Sequence, residues 1–153
     1  MTTTSAPLAR GSALRETLAR HVLVADGAMG TMLQDADVSL ADFEDYEGCN
    51  EILNVTRPDI VAEVHDAYLS VGVDCIETNT FGANLANLAE YGIEDRIYEL
   101  AYAGARLART QADIWSTPEQ PRFVLGAMGP GTRLPTLGHI TFAELRDAYA
   151  EQA

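Results

Sequence analysis

Basic residues are scarce in this chain. Ten Lys and Arg stand against 23 Asp and Glu in 153 residues, a formal net charge of −13. Nucleic-acid backbones and anionic membranes are held by clustered cations. Both are therefore excluded as partners, and the acidity reads as a solvated surface that favours solubility. Metal-ligand chemistry is equally thin. The two cysteines, Cys49 and Cys75, form no CxxC pair, and His21, His65 and His139 are scattered without ligand spacing; no metal site is expected within these residues. Cys75 lies in an apolar run, VDCIET, and reads as a small buried hydrophobe; Cys49 lies in a polar loop, EGCNE. Apolar runs are too short to span a bilayer. Residues 1–10 have no apolar h-region, which argues against a secretory signal and for a cytoplasmic location.

What is present is an ordinary globular composition, 47% apolar and 22% charged, long enough for one domain with a sizeable core. Residues 1–11, rich in Thr, Ser and Ala, read as a flexible tail, and 12–153 as the folded part. Three short apolar segments, 22–25 (VLVA), 73–78 (VDCIET) and 122–127 (RFVLGA), have the character of strands covered on both faces.

Helical spacing lies between them. Ile60, Val61, Val64, Ala67, Tyr68 and Val71 mark a helix over 56–71, with Thr56 and Asp59 as an acidic capping box, Pro58 in the first turn and Gly72 after the end. Ile97, Ala101, Ala105, Ala108 and Ala112 mark a second over 95–114; Thr141 and Glu144 open a third; an earlier helix is expected over 12–21. Alternating βα units predict an α/β fold with a parallel sheet.

The loops are asymmetric. Helix-to-strand connections are short, Gly72 alone and 116–121, whereas strand-to-helix connections are long: 26–55, 79–94 and 128–140. In βα proteins ligands bind where strands end and helices begin. Each strand end carries glycine and polar residues together: DGAMGT (26–31), ETNTFGAN (77–84) and GAMGPGTRLPTLG (126–138). Taken singly, each has an ordinary structural explanation: a tight turn, a helix cap, a rigid loop. Glycines 27 and 30 would let backbone approach an anion, and Asp26 would hold an ammonium group.

Together with GCNEILNVTRPDIV (48–61), these segments resemble the homocysteine S-methyltransferase domain of cobalamin-dependent methionine synthases, from about residue 20 onward. The resemblance implies a (β/α)8 barrel, of which this chain would be the first three βα units plus an N-terminal helix, because a complete barrel needs about 250 residues. It implies homocysteine as the substrate, with Asp26 and Gly27 holding its amino-acid end and Asn79, Thr80, Gly129 and Pro130 lining the pocket; Glu77 receives no role. It also implies zinc and cobalamin as cofactors of the full-length enzymes. The zinc-binding cysteines of the family would lie beyond Ala153, so neither Cys49 nor Cys75 is assigned metal, and the 153-residue chain alone is expected to be inactive. The remaining barrel half and the cobalamin and folate domains would be its partners. Unpaired sheet edges predict self-association.

Other readings share part of this pattern. One is a cobalamin-independent homocysteine methyltransferase using betaine or S-methylmethionine. Another is a non-catalytic homocysteine-binding module, and a third is a structural protein that oligomerises through its edges.

Overall fold

The computed structural model describes residues 6–129 and 131–153. The chain is α/β. Helices α1 (Ala6–Leu18), α2 (Met29–Asp35), α3 (Leu53–Thr56) and α4 (Pro58–Ser70) precede strand β1 (Cys75–Glu77). Helices α5 (Leu85–Tyr91) and α6 (Ile97–Trp115) lead to β2 (Phe123–Leu125), and α7 (Phe142–Gln152) follows. β1 and β2 are parallel, with Cys75 opposite Phe123 and Glu77 opposite Leu125. The expected first strand is reduced to a parallel bridge, Ala25 to Cys75. Val24 and Asp26 carry it through hydrogen bonds, Asp74 N to Val24 O at 2.8 Å and Asp26 N to Cys75 O at 3.0 Å. β1 thus lies between the other two segments.

Val22 and Val24 are 91% and 56% exposed. The expectation of full cover on both faces fails at this edge, because no element among the described residues packs over them and a single bridge does not build a strand. The other two strands are each three residues long, inside the expected 73–78 and 122–127. Their flanks bend away to form the site and the preceding turns.

The helical layer follows the apolar spacing, with corrections on α1, α4 and α6. α1 runs Ala6–Leu18 rather than 12–21, taking up part of the expected tail, and Arg10 pairs with Asp113 of α6 at 3.3 Å. On α4, Thr56 is not the cap: its hydroxyl donates to Asp42 O at 2.6 Å, Arg57 is the boundary residue, and Asp59 pairs with Arg57 at 2.8 Å. The α4 core stripe runs Ile60, Val61, Val64, His65 and Leu69, leaving Ala67 and Val71 exposed. On α6 the buried row is Ile97, Leu100, Gly104, Ala108 and Ala112, with Ala105 outside. Both rows mix steps of three and four, as a 3.6-residue helix requires; the buried row takes its step of three first, from Ile97 to Leu100, so Leu100 and Gly104 stand where Ala101 and Ala105 were expected.

Two features match the spacing directly. Gly72 has φ +98° and its N–H reaches Leu69 O at 3.0 Å, closing α4. Thr141 caps α7, and Glu144 completes a reciprocal capping box. Within ETNTFGAN the residue that caps the following helix is Asn84, whose side chain accepts from Asn87 N at 3.1 Å at the start of α5.

Leu69, Val73, Ile76, Ala108 and Ala112 pack α4 and α6 onto the outer face of β1. Leu33, Leu53, Ile60, Val61 and Val64 join the long first loop to α4. Each fully buried Leu or Ile of such clusters contributes about 1.5–3 kcal/mol. No helix of the described residues is long and apolar enough to cross a membrane.

Candidate functional site

The long connections gather at the C-terminal ends of the strands. There a cavity of about 280 Å³ is lined by Met29 and Gly30 of the first loop, Asn50 and Glu51 further along it, Glu77, Thr78, Asn79 and Phe81 after β1, and Ala127 after β2. All three strand-end segments contribute to it.

Asp26 stands beside this cavity. Its Oδ1 accepts from Glu77 N at 2.9 Å, which fixes the carboxylate at the edge of β1. Partial burial pushes its pKa up to about 6, aided by the nearby Glu77 charge and opposed by the Glu77 N–H. The backbone after Asp26 turns through Ala28, which has φ +48° and is the boundary residue of α2. The strained residue of DGAMGT is therefore an alanine rather than either glycine. Strain of this kind concentrates at functional sites. A Cβ at Gly27 would meet nothing within 4 Å, and one at Gly30 would meet only Asn50 Nδ2, at 3.6 Å.

Asn79 and Thr80 are buried, each 5% exposed, and both are committed to the protein. Asn79 Nδ2 donates to Asn54 Oδ1 at 3.0 Å and to Asn50 O at 2.9 Å, while Asn54 Nδ2 donates to Asn79 O at 2.8 Å and to Leu100 O at 3.2 Å. This reciprocal amide clamp ties β1's end to the first loop and to α6. α6 comes this close only because residue 104 is glycine. A Cβ there would lie 2.7 Å from Asn54 Nδ2 and 2.7 Å from Thr80 Cγ2.

Thr80 closes a second ring. Its hydroxyl donates to Ala127 O at 2.8 Å, so the 2.6 Å contact between the two hydroxyls requires Thr78 to donate to Thr80. Thr78 Oγ1 in turn accepts from Ala127 N at 3.0 Å. One hydroxyl pair thereby pins the segment after β2 to the segment after β1.

Gly129, with φ +44°, rests on the Tyr149 hydroxyl of α7 so closely that no side chain would fit there. Gln152 Nε2 reaches Thr80 O at 2.5 Å and Ala127 O at 3.3 Å. The third loop is thus carried by α7. Pro130 lies outside the described residues. Of the six expected site residues, Asn79 lines the cavity directly. Asp26 adjoins its Glu77 wall, Thr80 holds its Ala127 wall, and Gly27 and Gly129 lie further along their loops. Residue chemistry at the strand ends missed Asn50, Glu51, Asn54, Phe81, Tyr149 and Gln152. The first three sit inside GCNEILN, a segment legible as a family motif without an obvious chemical signature.

Both cysteines are free and buried. Burial pushes the Cys49 thiol up to about 12, with the Glu51 charge adding to it, and burial pushes Cys75 up as well. Zinc takes thiolates, and no group of three or more His, Cys, Asp or Glu placed to hold a metal occurs among the described residues. The residues present do not fit zinc.

A parallel α/β arrangement with its cavity at the strand ends, an acidic residue beside it and glycine-bearing loops around it has the form of a βα enzyme site. The chain belongs to the homocysteine S-methyltransferase family, whose profile matches residues 23–153. It is 56% identical over 140 residues to the methionine synthase of Mycobacterium leprae and 55% identical over 140 residues to that of Mycobacterium tuberculosis. Those matches cover 92% of this chain, which spans only 12% of the length of either relative. The fold resembles the homocysteine methyltransferase MmuM of Escherichia coli. In its metallated form that protein gives a TM-score of 0.70 at 23% identity over 91% of this chain and 51% of its own. In its oxidised form the TM-score is 0.62 at 27% identity over 76% of this chain and 40% of its own.

Proposed function

We propose that this chain supplies the homocysteine-binding part of a methionine synthase, built as the opening βα units of a (β/α)8 barrel. The observation that carries this reading is Asp26. It is a carboxylate held at the strand ends by Glu77 N–H, beside a cavity to which all three loops contribute, in a chain 55–56% identical to methionine synthases.

Homocysteine carries an ammonium and a carboxylate at one end and a thiol at the other. Oδ1 of Asp26 is engaged by the backbone, which leaves Oδ2 to face the ammonium. The backbone after Asp26, opened by Gly27, offers N–H groups to the carboxylate. Asn79 and Ala127 form part of the cavity wall along the substrate's methylenes, with Gly129 further along the third loop. Proton release from the thiol and methyl transfer would rest on zinc and methylcobalamin held elsewhere in the whole enzyme. The described residues here present no thiolate or imidazole cluster for the metal, so this chain's share is binding and orientation. The 153 residues alone are expected to form no methionine. A cytoplasmic location accords with this role. The exposed Val22 and Val24 edge accords with pairing to further chain, or with self-association that sedimentation would detect.

Calorimetric titration of the purified chain with L-homocysteine tests the reading. Binding that needs no added zinc and is lost in Asp26→Ala supports it. Binding unchanged by that substitution would refute the assignment of Asp26, and no binding at all would refute a preformed pocket in this chain.

A further inference from the structure

The cavity at the strand ends shares a wall with a second one, of about 220 Å³, lined by Gly48, Cys49, Asn87, Glu90, Tyr91 and Thr132 among others. Asn50, Glu51 and Phe81 line both. Glu51 is the buried member of that wall, 8% exposed. Its Oε1 accepts from Gly82 N at 2.6 Å, and its Oε2 lies 3.7 Å from the Cys49 thiol. A Cβ at residue 82 would come within 2.8 Å of that same Oε1, so glycine is what allows the backbone to approach the carboxyl. No cation among the described residues pairs with Glu51. Burial raises its pKa, against the opposing pull of the Gly82 N–H. An unpaired buried carboxylate is costly, and a neutral carboxyl that accepts one backbone bond is not.

Phe81, half exposed, stands between Thr80, bonded to Ala127 O, and Gly82, bonded to Glu51. The two anchors on either side leave its backbone little freedom. We propose that Glu51 is a positioning residue that, through the Gly82 N–H, locks Phe81 as the wall dividing the two strand-end cavities and so shapes the side facing the substrate's methylenes. The last clause rests on the proposed homocysteine site; the lock itself does not. Because the bond needs an acceptor and not a charge, glutamine substitutes for Glu51, whereas an apolar residue of the same length does not.

The test uses the full chain with E51Q, E51M, F81A and the E51M/F81A pair, read by calorimetry with L-homocysteine and by amide exchange at Gly82. E51Q is expected to bind within twofold of the parent and to keep the Gly82 amide protected. E51M is expected to bind at least fivefold more weakly, with fast exchange at Gly82. If Glu51 acts through Phe81, the pair binds no worse than F81A alone, whereas two independent losses would multiply. A merely structural Glu51 would give that multiplication, and it would overturn the proposal, as would E51M binding like the parent. Should E51M fail to fold, G82A presses on the same contact from the other side and is expected to reproduce its loss; parent-like binding by G82A overturns the proposal. A parent chain that binds no homocysteine removes the proposed function alone. Gly82 exchange then decides the lock: fast in E51M and slow in E51Q sustains it, and equal rates in both overturn it.

Discussion

The two ends of the short sheet are built from opposite materials. At the end where strands begin, connections are tight and charges are paired. Arg122 Nη1 donates to Gly72 O at 3.0 Å and Val73 O at 2.5 Å and sits 3.9 Å from Asp74, whose other oxygen accepts from Val24 N at 2.9 Å. At the end where strands finish, connections are long, the buried groups are neutral amides and hydroxyls, and the acids Asp26 and Glu51 have no cationic partner among the described residues. One end holds the segments together. The other keeps an unpaired carboxylate beside a cavity, a costly arrangement unless a ligand completes it. In βα folds stability resides at the first end and function at the second.

Arg122→Met should break that contrast most strongly. Its guanidinium is nearly inaccessible and satisfies two backbone carbonyls. Its loss leaves both carbonyls unpaired and Asp74 without its cation, at a cost on the order of 3 kcal/mol. Urea denaturation should show a lower midpoint, while homocysteine affinity of the folded chain stays within about twofold. An affinity loss matching the stability loss would show that the two ends are not separable.

His65→Leu places acid sensitivity in the helical layer and at neither end. His65 is fully buried in α4 with both ring nitrogens unpartnered, and burial pushes its pKa down to about 4. The unfolded chain takes up this proton below about 6.5 and the folded chain does not until about 4, so stability falls as pH drops through that window. The loss between pH 7 and pH 5 is about 2 kcal/mol, and H65L should remove it. Melting profiles of parent and variant that fall in parallel with pH would rule this out.

Gly104→Ala crosses from packing to site. The added methyl collides with Asn54 Nδ2 and Thr80 Cγ2 at 2.7 Å each, in a buried network with nowhere to relax. The overpacking cost is roughly 1–2 kcal/mol, and unlike Arg122→Met it should weaken homocysteine binding too, because the amide clamp sets Asn79.

The difference between the ends also explains what was legible beforehand. Periodicity exposed α4, α6 and α7, since these helices bury one face against something continuous. The asymmetry of loop lengths pointed to the end of the strands where the cavity lies. Helices α2 and α3 inside the first loop were not legible. They are 7 and 4 residues long, too short for a period, and take their stability from packing on α4. Within the site, Asp26 and Asn79 stood out because they sit next to strand ends. Glu51, Asn54 and Gln152 did not, because their roles are contacts across 31, 25 and 72 residues of chain, and spacing along a sequence carries no trace of such distances.

The smallest expected effect gives the sharpest separation of the two ends. Asp26 has its pKa raised from 3.8 to about 6. A raised carboxyl pKa means the unfolded chain ionises first, so this group lowers stability as pH rises from about 4 to 6 and holds that penalty above it. Asn at this position still accepts from Glu77 N–H but never ionises. D26N should therefore melt slightly higher than the parent at pH 7, by about 1–2 °C once the group's partial exposure is discounted, and equally at pH 3.5. Affinity should move the other way. Under the proposed role, in which the ionised carboxylate holds the ammonium of homocysteine, parent affinity falls about tenfold between pH 7 and pH 5 as Asp26 takes up its proton, and D26N should be weak and flat over that range. A variant that melts higher and binds worse, with the affinity difference fading from about pH 7 to 5 and the melting difference from about pH 6 to 4, is what a carboxylate kept for a ligand produces. A D26N chain that melts lower at pH 7 would mean instead that Asp26 is there to hold the strands, and that the two ends of the sheet are alike.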